Sequence, residues 1–417
     1  MSELIQPARS AYRYANRAVS TRYASHAVSE DMIELSGGFA YPKCLPDISR
    51  QAAVAAAEHR TETMQYSDVL GLTELRDLVV DYVTADGVHC NRDNVMIVSG
   101  AKQGLDLACR VFLEPGDRVI VTAPSYMTAL DILRTHEVEF VTVAQDGEGL
   151  RTDDLEARLR ELRDAGDALP KLLFDVPDFH NPTGITTSLA RRRRLIALAE
   201  EFGFLIVEDD PYRRIRFEGA PVAPIKSLDT TGVVIGLGTS SKILAPGLRI
   251  GWVIASAEII ERIAAQKADG GTSPLNQRIF AEVLRGQSIP DHIGEIIREL
   301  RIHRDTMIAA LAKDIPEIAV RSPEGGYFLW ARLPDEIDAS VLSGLALREG
   351  VKTYPGGLCF AGEPSQSALR LCFSYEEPDR LREGIARLAK AYRLIRGGLA
   401  DAEQVRAAEA SRDLATF

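Results

Sequence analysis

VVIGLGTSSKILAPGLRIGWVIAS, residues 233–256, decides how the chain folds. Its two ends, VVIGLG at 233–238 and GWVIAS at 251–256, are near-continuously apolar, rich in Val and Ile, and bounded by turn residues. That is the pattern of strands buried on both faces of a sheet. Between them lies a Gly/Ser-rich turn holding Lys242, a Pro-Gly pair and Arg249. A lone loop lysine is ordinarily a solvated surface group. Here its neighbours are those a phosphate needs, and Arg249 is a natural phosphate ligand. A lysine that works as a nucleophile must sit where its amine can shed its proton.

Working outward, NVMIVSG at 94–100, RVIVTAP at 118–124, EFVTV at 139–143, KLLFDVP at 171–177 and FLIVED at 204–209 read as further buried strands. Residues 102–113, 126–135, 152–165 and 189–201 have helical spacing with charged outer faces. Strand and helix in alternation predict an α/β fold with a mostly parallel, seven-stranded sheet between helices. After about Gly286 the pattern changes. A long charged helix at 289–313 leads into shorter strands, YFLWARL at 327–333 and ALRLCFS at 368–374, and a helix around 378–395. The expected division is an arm over 1–46 joining the small domain, a large domain over 47–286, a small α+β domain over 287–397 and a tail over 398–417.

A chain of 417 residues suits two packed domains rather than one core. A net charge of −11 argues against non-specific binding to nucleic acid or to an anionic membrane surface. It does not exclude an anionic small substrate, which a local arginine cluster can hold. Five scattered cysteines, an odd number with no CxxC pair, predict free thiols rather than a disulfide framework or a zinc site. The N-terminus lacks the apolar core of a signal peptide, and no apolar run is long enough to span a bilayer, so the expected location is the cytoplasm. There is no Walker A sequence, HExxH or GxGxxG, and the seven histidines do not cluster, so no metal is expected. The basic run ARRRRL at 190–195 reads as a solvated helix face.

Three further stretches carry candidate chemistry. In PDFHNPTG, 177–184, Asn181 is either part of a plain Asn-Pro turn or a side chain reaching a bound ring oxygen. In VEDDPYRRIRF, 207–217, two acids end a strand, where open α/β sheets bind ligands. Asp210 reads as the N-cap of a helix with Pro211 in its first turn, and Asp209 as facing the site. In SGAKQGLDLACRVF, 99–112, a strand runs straight into a helix whose first amides are free to bind phosphate.

Together NPTG, D-x-x-Y, S-x-K with an arginine seven residues later, and a late RLxF resemble the class I/II, fold-type I aminotransferases that depend on pyridoxal 5′-phosphate (PLP). The resemblance covers roughly 30–395. Within it GGFAYPKCLP, QYSDVLGLTELR, DDPY and GGYFLW look like the α-aminoadipate/kynurenine aminotransferase branch. The resemblance implies an enzyme that moves an amino group between an α-amino acid and a 2-oxo acid in a ping-pong cycle. Lys242 would carry the cofactor as a Schiff base and shuttle the substrate's proton. Asp209 would pair with the ring nitrogen. Asn181 and Tyr212 would bond the ring oxygen, and Tyr126 would stack on the ring.

By the same resemblance the phosphate would rest on the amides of Gly100, Ala101 and Lys102, on Thr239 or Ser241, and on Arg249. Tyr66 would reach the phosphate of a neighbouring subunit, which implies a homodimer with shared sites. Arg370 would grip the substrate α-carboxylate, and Gly37 and Gly38 would let the arm close over it. Arg17 and Arg22 either bind a distal carboxylate of the substrate or tie the arm to the body. Two positions depart from the branch. SGAKQ replaces SGSQQ, so Ala101 loses a hydroxyl and Lys102 adds a charge, and His180 stands where glutamine is usual. The alternative chemistry is another carbanion reaction on the same fold: elimination, cyclisation, decarboxylation or oxidation. A ligand-sensing regulator is disfavoured, because only the arm precedes the core.

Overall fold

The structure, a computed structural model, describes residues 31–286 and 288–397. Strand β1 (Ile33–Glu34) opens the described chain. The large sheet follows: β2 (Val95–Val98), β3 (Arg118–Ala123), β4 (Glu139–Asp146), β5 (Gly149–Leu150), β6 (Leu172–Asp175), β7 (Leu205–Asp210), β8 (Val234–Thr239) and β9 (Gly251–Ile254). Its order is β2-β9-β8-β7-β6-β3-β4-β5. From β8 through β4 every pairing is parallel. The two-residue β5 folds back on β4 as an eighth strand beyond the seven expected from the sequence.

The central strands are apolar throughout because helices cover both faces, and β2, β6, β8 and β9 are buried at every position. The helices are the expected ones with small shifts: Ala101–Phe112, Met127–Thr135, Thr152–Asp164 and Leu189–Phe202. The last is capped by the Ser188 side chain and ended by Gly203 in the left-handed region at φ 76°. Others lie where the sequence analysis assigns no element, among them Thr73–Thr84, Ala257–Ala265 and Pro274–Arg285.

One strand breaks the parallel run. β9 pairs antiparallel with β8, Thr239 opposite Gly251, and antiparallel with β2 on its other side. The chain therefore leaves β8 at its carboxyl end and re-enters the sheet at the same end. Residues 240–250, with Lys242 and Arg249, form that reversal.

The second sheet has the order β10-β11-β14-β13 and is antiparallel: β10 (Ala319–Val320), β11 (Phe328–Arg332), β13 (Tyr354–Pro355) and β14 (Ala368–Cys372). Helices Ile289–Asp314, Ala339–Arg348 and Pro378–Arg396 accompany it. β12 (Val351–Lys352) pairs in parallel with β1, which brings the segment after residue 31 onto this α+β part. The expected tail and the first 30 residues, with Arg17 and Arg22, lie outside the described residues.

Two expectations are corrected. ARRRRL is not a solvated face: Arg192 is fully buried, its guanidinium 3.0 Å from Asp178 and bonded to the carbonyls of Thr187 and Pro177. Arg191 pairs with Asp146, and Arg194 with Glu156. Four arginines in a row on a helix necessarily span all its sides, so one faces inward. Asp210 caps no helix. Residues 211–214 form a turn, and Asp210 instead makes an ion pair with Arg213, three residues on. The five cysteines are free thiols. Among the described residues no helix is long and apolar enough to cross a membrane, and no group of three or more His, Cys, Asp or Glu is placed to hold a metal.

Candidate active site

A cleft of about 380 Å³ opens at the carboxyl ends of the parallel strands, against β11 and β14. It is lined by Gly38, Gly100, Ala101, Lys102, Tyr126, Asn181, Asp209, Tyr212, Thr239, Ser241, Lys242, Arg249 and Arg370. These residues come from elements hundreds of positions apart, and all were singled out in the sequence.

Lys242 sits in the β8–β9 reversal with its Nζ donating to the Gly38 carbonyl at 2.6 Å and lying 4.9 Å from the Tyr327 ring centroid. Burial pushes its amine down to about 8, with the positive charges of Lys102, Arg370 and Arg249 adding to the effect. A neutral amine is thereby accessible near physiological pH.

Asp209 is the fifth residue of β7. Strand alternation sends it to the cleft while its neighbours Glu208 and Asp210 point to the opposite face. Its Oδ1 is buried and has no hydrogen-bond partner among the described residues. Burial, then the Asp210 charge, pushes its carboxyl up to about 7, against the pull of Lys102 and Lys242. A buried carboxylate oxygen without a donor is costly, and a cationic N–H arriving in the cleft would satisfy it.

Asn181 and Arg370 are joined, Arg370 Nη1 donating to Asn181 Oδ1 at 3.1 Å. Arg370 Nη2 donates to the Ser36 carbonyl at 2.5 Å, and the guanidinium lies 4.4 Å from the ring centroids of both Phe328 and Tyr354. The fork is held on several sides before any ligand binds. Tyr212 is buried against Tyr327, at 5.5 Å between ring centroids, and burial drives its hydroxyl far above the usual range, so it stays a donor.

The opposite end of the cleft is built for a phosphate. Gly100 precedes helix Ala101–Phe112 at φ 87°, and a Cβ there would lie 2.5 Å from the Arg249 guanidinium. Arg249 itself donates to the Ser99 carbonyl at 2.9 Å. The helix's free amides, the Thr239 and Ser241 hydroxyls (2.9 Å apart) and two cations, Arg249 and Lys102, converge here. The Lys102 ammonium lies 5.9 Å from the Tyr126 ring centroid. A cradle closed to any side chain at 100, an unpartnered acid and a depressed lysine in one cleft fit PLP at its phosphate, ring nitrogen and aldehyde.

Two expected residues lie elsewhere. Gly37 does not line the cleft; its amide bonds Glu34, and a Cβ on it would strike the Phe39 ring at 2.2 Å. Tyr66, expected at a neighbouring chain's phosphate, is 86% exposed and does not line this cleft. The sequence reading missed Phe39, Met127 and Phe328, which line the cleft, and Tyr327 beside Lys242. Each adjoins a residue or motif already singled out, so adjacency was the available signal.

Comparison with known proteins agrees with this geometry. The family described as aminotransferase class I and II matches residues 30–388. An aromatic-amino-acid aminotransferase of Thermococcus litoralis is 39% identical over 87% of this chain and 88% of its own length. The crystal structure of a kynurenine aminotransferase from Pyrococcus horikoshii, in complex with PMP, superposes with a TM-score of 0.84 at 36% identity, covering 94% of this chain and 96% of that one. An α-aminoadipate aminotransferase from Thermus thermophilus, complexed with N-(5′-phosphopyridoxyl)-L-leucine, gives a TM-score of 0.82 at 32% identity over 91% and 97% of the two chains.

Proposed function

The chain belongs to the class I and II aminotransferases, a fold-type I enzyme that uses PLP, and from that premise we propose that it transfers the amino group of a large apolar or aromatic α-amino acid to a 2-oxo acid. The observation that carries this reading is the single cleft holding Lys242, Asp209 and Arg370. Its walls include Phe39, and Met127 and Phe328 lie against Arg370, which suits an apolar side chain. The relatives named above are described as acting on aromatic amino acids, kynurenine and aminoadipate, which supports a substrate of this size.

When bound, PLP supplies an electron sink for the charge that develops at the substrate Cα. The residues do the rest. Arg370 takes the α-carboxylate in a bidentate grip. Asn181, whose Oδ1 accepts from Arg370, keeps its Nδ2 hydrogens for the ring oxygen, as Tyr212 does its hydroxyl. Asp209 holds a proton at the ring nitrogen. Lys242, its amine neutral, would remove the proton from the substrate Cα as a base. The amides of Ala101 and Lys102 with Thr239, Ser241 and Arg249 would hold the phosphate, whereas the Gly100 amide already donates to the Val98 carbonyl at 2.8 Å; the Lys102 charge would compensate for the hydroxyl that Ala101 lacks. Tyr126 covers the ring face.

We take residues 1–46, 47–286, 287–397 and 398–417 as arm, large domain, small domain and tail. The protein would act in the cytoplasm as a homodimer in which Tyr66 completes the neighbouring subunit's phosphate site. Gly37 and Gly38 would let the arm close over the substrate, and Arg17 and Arg22 would either meet a distal carboxylate or tie the arm to the body. The test is a single turnover of holoenzyme with one amino donor at a time. Transamination leaves the amino group on the cofactor and releases one 2-oxo acid, with aromatic and long aliphatic donors fastest. Release of ammonia, carbon dioxide or peroxide would overturn it in favour of another carbanion reaction.

A further inference from the structure

His180 stands next to Asn181 and has no part in the function just proposed. It is 4% exposed. Its amide donates to the Ile185 carbonyl at 2.7 Å, and its carbonyl accepts from the Gly184 amide at 2.6 Å. Its backbone thus closes the 180–185 turn that carries Asn181. Its ring reaches outside the turn to the sheet. Nε2 lies 3.0 Å from the Thr122 hydroxyl at the end of β3, and Nδ1 lies 3.0 Å from the Thr183 hydroxyl within the turn.

The proton on this ring can be assigned by following the donors. The Pro124 carbonyl can only accept, so the group 2.9 Å from it is the Gln145 amide nitrogen, and Gln145 Oε1 faces Thr183. Thr183 spends its one hydrogen on that oxygen at 2.8 Å. Its oxygen must then accept from His180, which places the ring proton on Nδ1. Nε2 is left to accept from Thr122. The second Gln145 contact, 3.4 Å from Nδ1, is too long to reverse this order. The result is a one-way chain from Thr122 through His180, Thr183 and Gln145 to Pro124, starting and ending within three residues of the same strand end. The Asp175 carboxylate does not join this chain, its Oδ1 lying 3.9 Å from Nε2, beyond hydrogen-bond reach. Burial pushes the imidazole down to about 3.

We propose that His180 is a positioning residue: neutral and protonated on Nδ1, it locks the 180–185 turn to the sheet so that Asn181 presents its oxygen to Arg370 and its amide hydrogens to the ligand. Through Asn181 it fixes the orientation of the guanidinium fork, so it acts on affinity for substrates at both ends of the reaction. This last consequence rests on the aminotransferase reading, whereas the tautomer and the hydrogen-bond chain do not.

The experiment has two arms. Holoenzyme carrying 15N-labelled histidine should show, beside His303, whose Nδ1 faces the Phe373 carbonyl, a neutral, Nδ1-protonated imidazole that is unchanged from about pH 6 to 9, where a free histidine titrates, and absent from His180→Gln. A proton on Nε2, or titration near the ordinary histidine value, overturns the proposal whether or not the enzyme transaminates. In the second arm, His180→Leu should raise KM for the amino acid and for the 2-oxo acid about five- to tenfold each, the loss expected for one hydrogen bond. His180→Gln, which keeps one donor and one acceptor, should recover most of it. Thr183→Val, which breaks the chain one link on, should raise both KM values as His180→Leu does and decides the matter if the leucine variant folds poorly. Unchanged KM values, with kcat falling only in proportion to lost cofactor, would show a merely structural histidine and overturn the proposal.

Discussion

Asp209 and Asp210 are consecutive residues on one strand, yet they face two different regions of charge. On the cleft side, among the described residues, Asp209 Oδ1 has no donor and the Lys242 amine donates to the Gly38 carbonyl alone. On the other side Asp210 pairs with Arg213, Asp86 lies 2.6 Å from Arg214 and 3.3 Å from Arg213, and Asp178 lies between Arg192 at 3.0 Å and Arg216 at 3.4 Å. Glu208 on the same face accepts the amides of Ile225 and Lys226 at 2.8 and 2.7 Å. Asp209 in the cleft and Asp178, Arg192 and Glu208 behind it are buried, and the other charges named are half-buried. The difference is that one has its partners within the chain and the other is left for a cofactor to complete. Unpaired buried charge in the cleft is held in place by the paired charge behind it.

Substitutions on the two sides should therefore fail differently. The largest effect is expected at Lys242: Lys242→Ala should lower turnover by about 10⁴-fold or more and abolish the cofactor's imine absorbance, read by steady-state kinetics and visible spectroscopy. Asp209→Ala should cost about 10²- to 10³-fold in kcat without lowering the unfolding temperature of the cofactor-free protein. Asp178→Ala on the far side should do the reverse. Stranding the Arg192 charge should destabilise by about 3–5 kcal/mol, measured by urea unfolding, while activity per folded molecule falls far less than in Asp209→Ala.

The remaining effect is in pH dependence. The Asp209 carboxyl sits near 7 in the fold and near 3.8 when unfolded, so between those values the native state binds the extra proton. Stability of the cofactor-free protein should fall as pH rises from about 4 to 7. Buried Asp175, also pushed up to about 7, contributes the same trend. The Asp209 share is the difference between wild type and Asp209→Ala, and PLP should remove that share. An identical slope in both proteins would contradict the unpaired carboxylate.

The sequence made the cleft more legible than the region behind it. The strands could be read because Val and Ile runs bounded by turns have few other uses, and the site residues fall at the ends of those strands. The rear ion cluster was invisible for a physical reason: a run such as ARRRRL looks solvated until the partner for Arg192, Asp178, is known to lie 14 positions earlier across a turn. The turn after Asp210 was misread because Asp-Pro begins helices and turns alike. β1 and β12 are two residues each and more than 300 positions apart, so no periodicity announced them. Helix Ala339–Arg348, ASVLSGLALR, has almost no charged face to reveal its period.

The reversal between β8 and β9 sets a rule for how this protein can diverge. Thr239 and Gly251 are paired across it, so both ends of the intervening segment are pinned to the sheet. Lys242 and Arg249 inherit their separation from that pinning. Residues within the segment can be exchanged over time, but an insertion or deletion would pull the amine and the guanidinium out of step with each other. Length drift should accordingly gather in surface connections away from this bend.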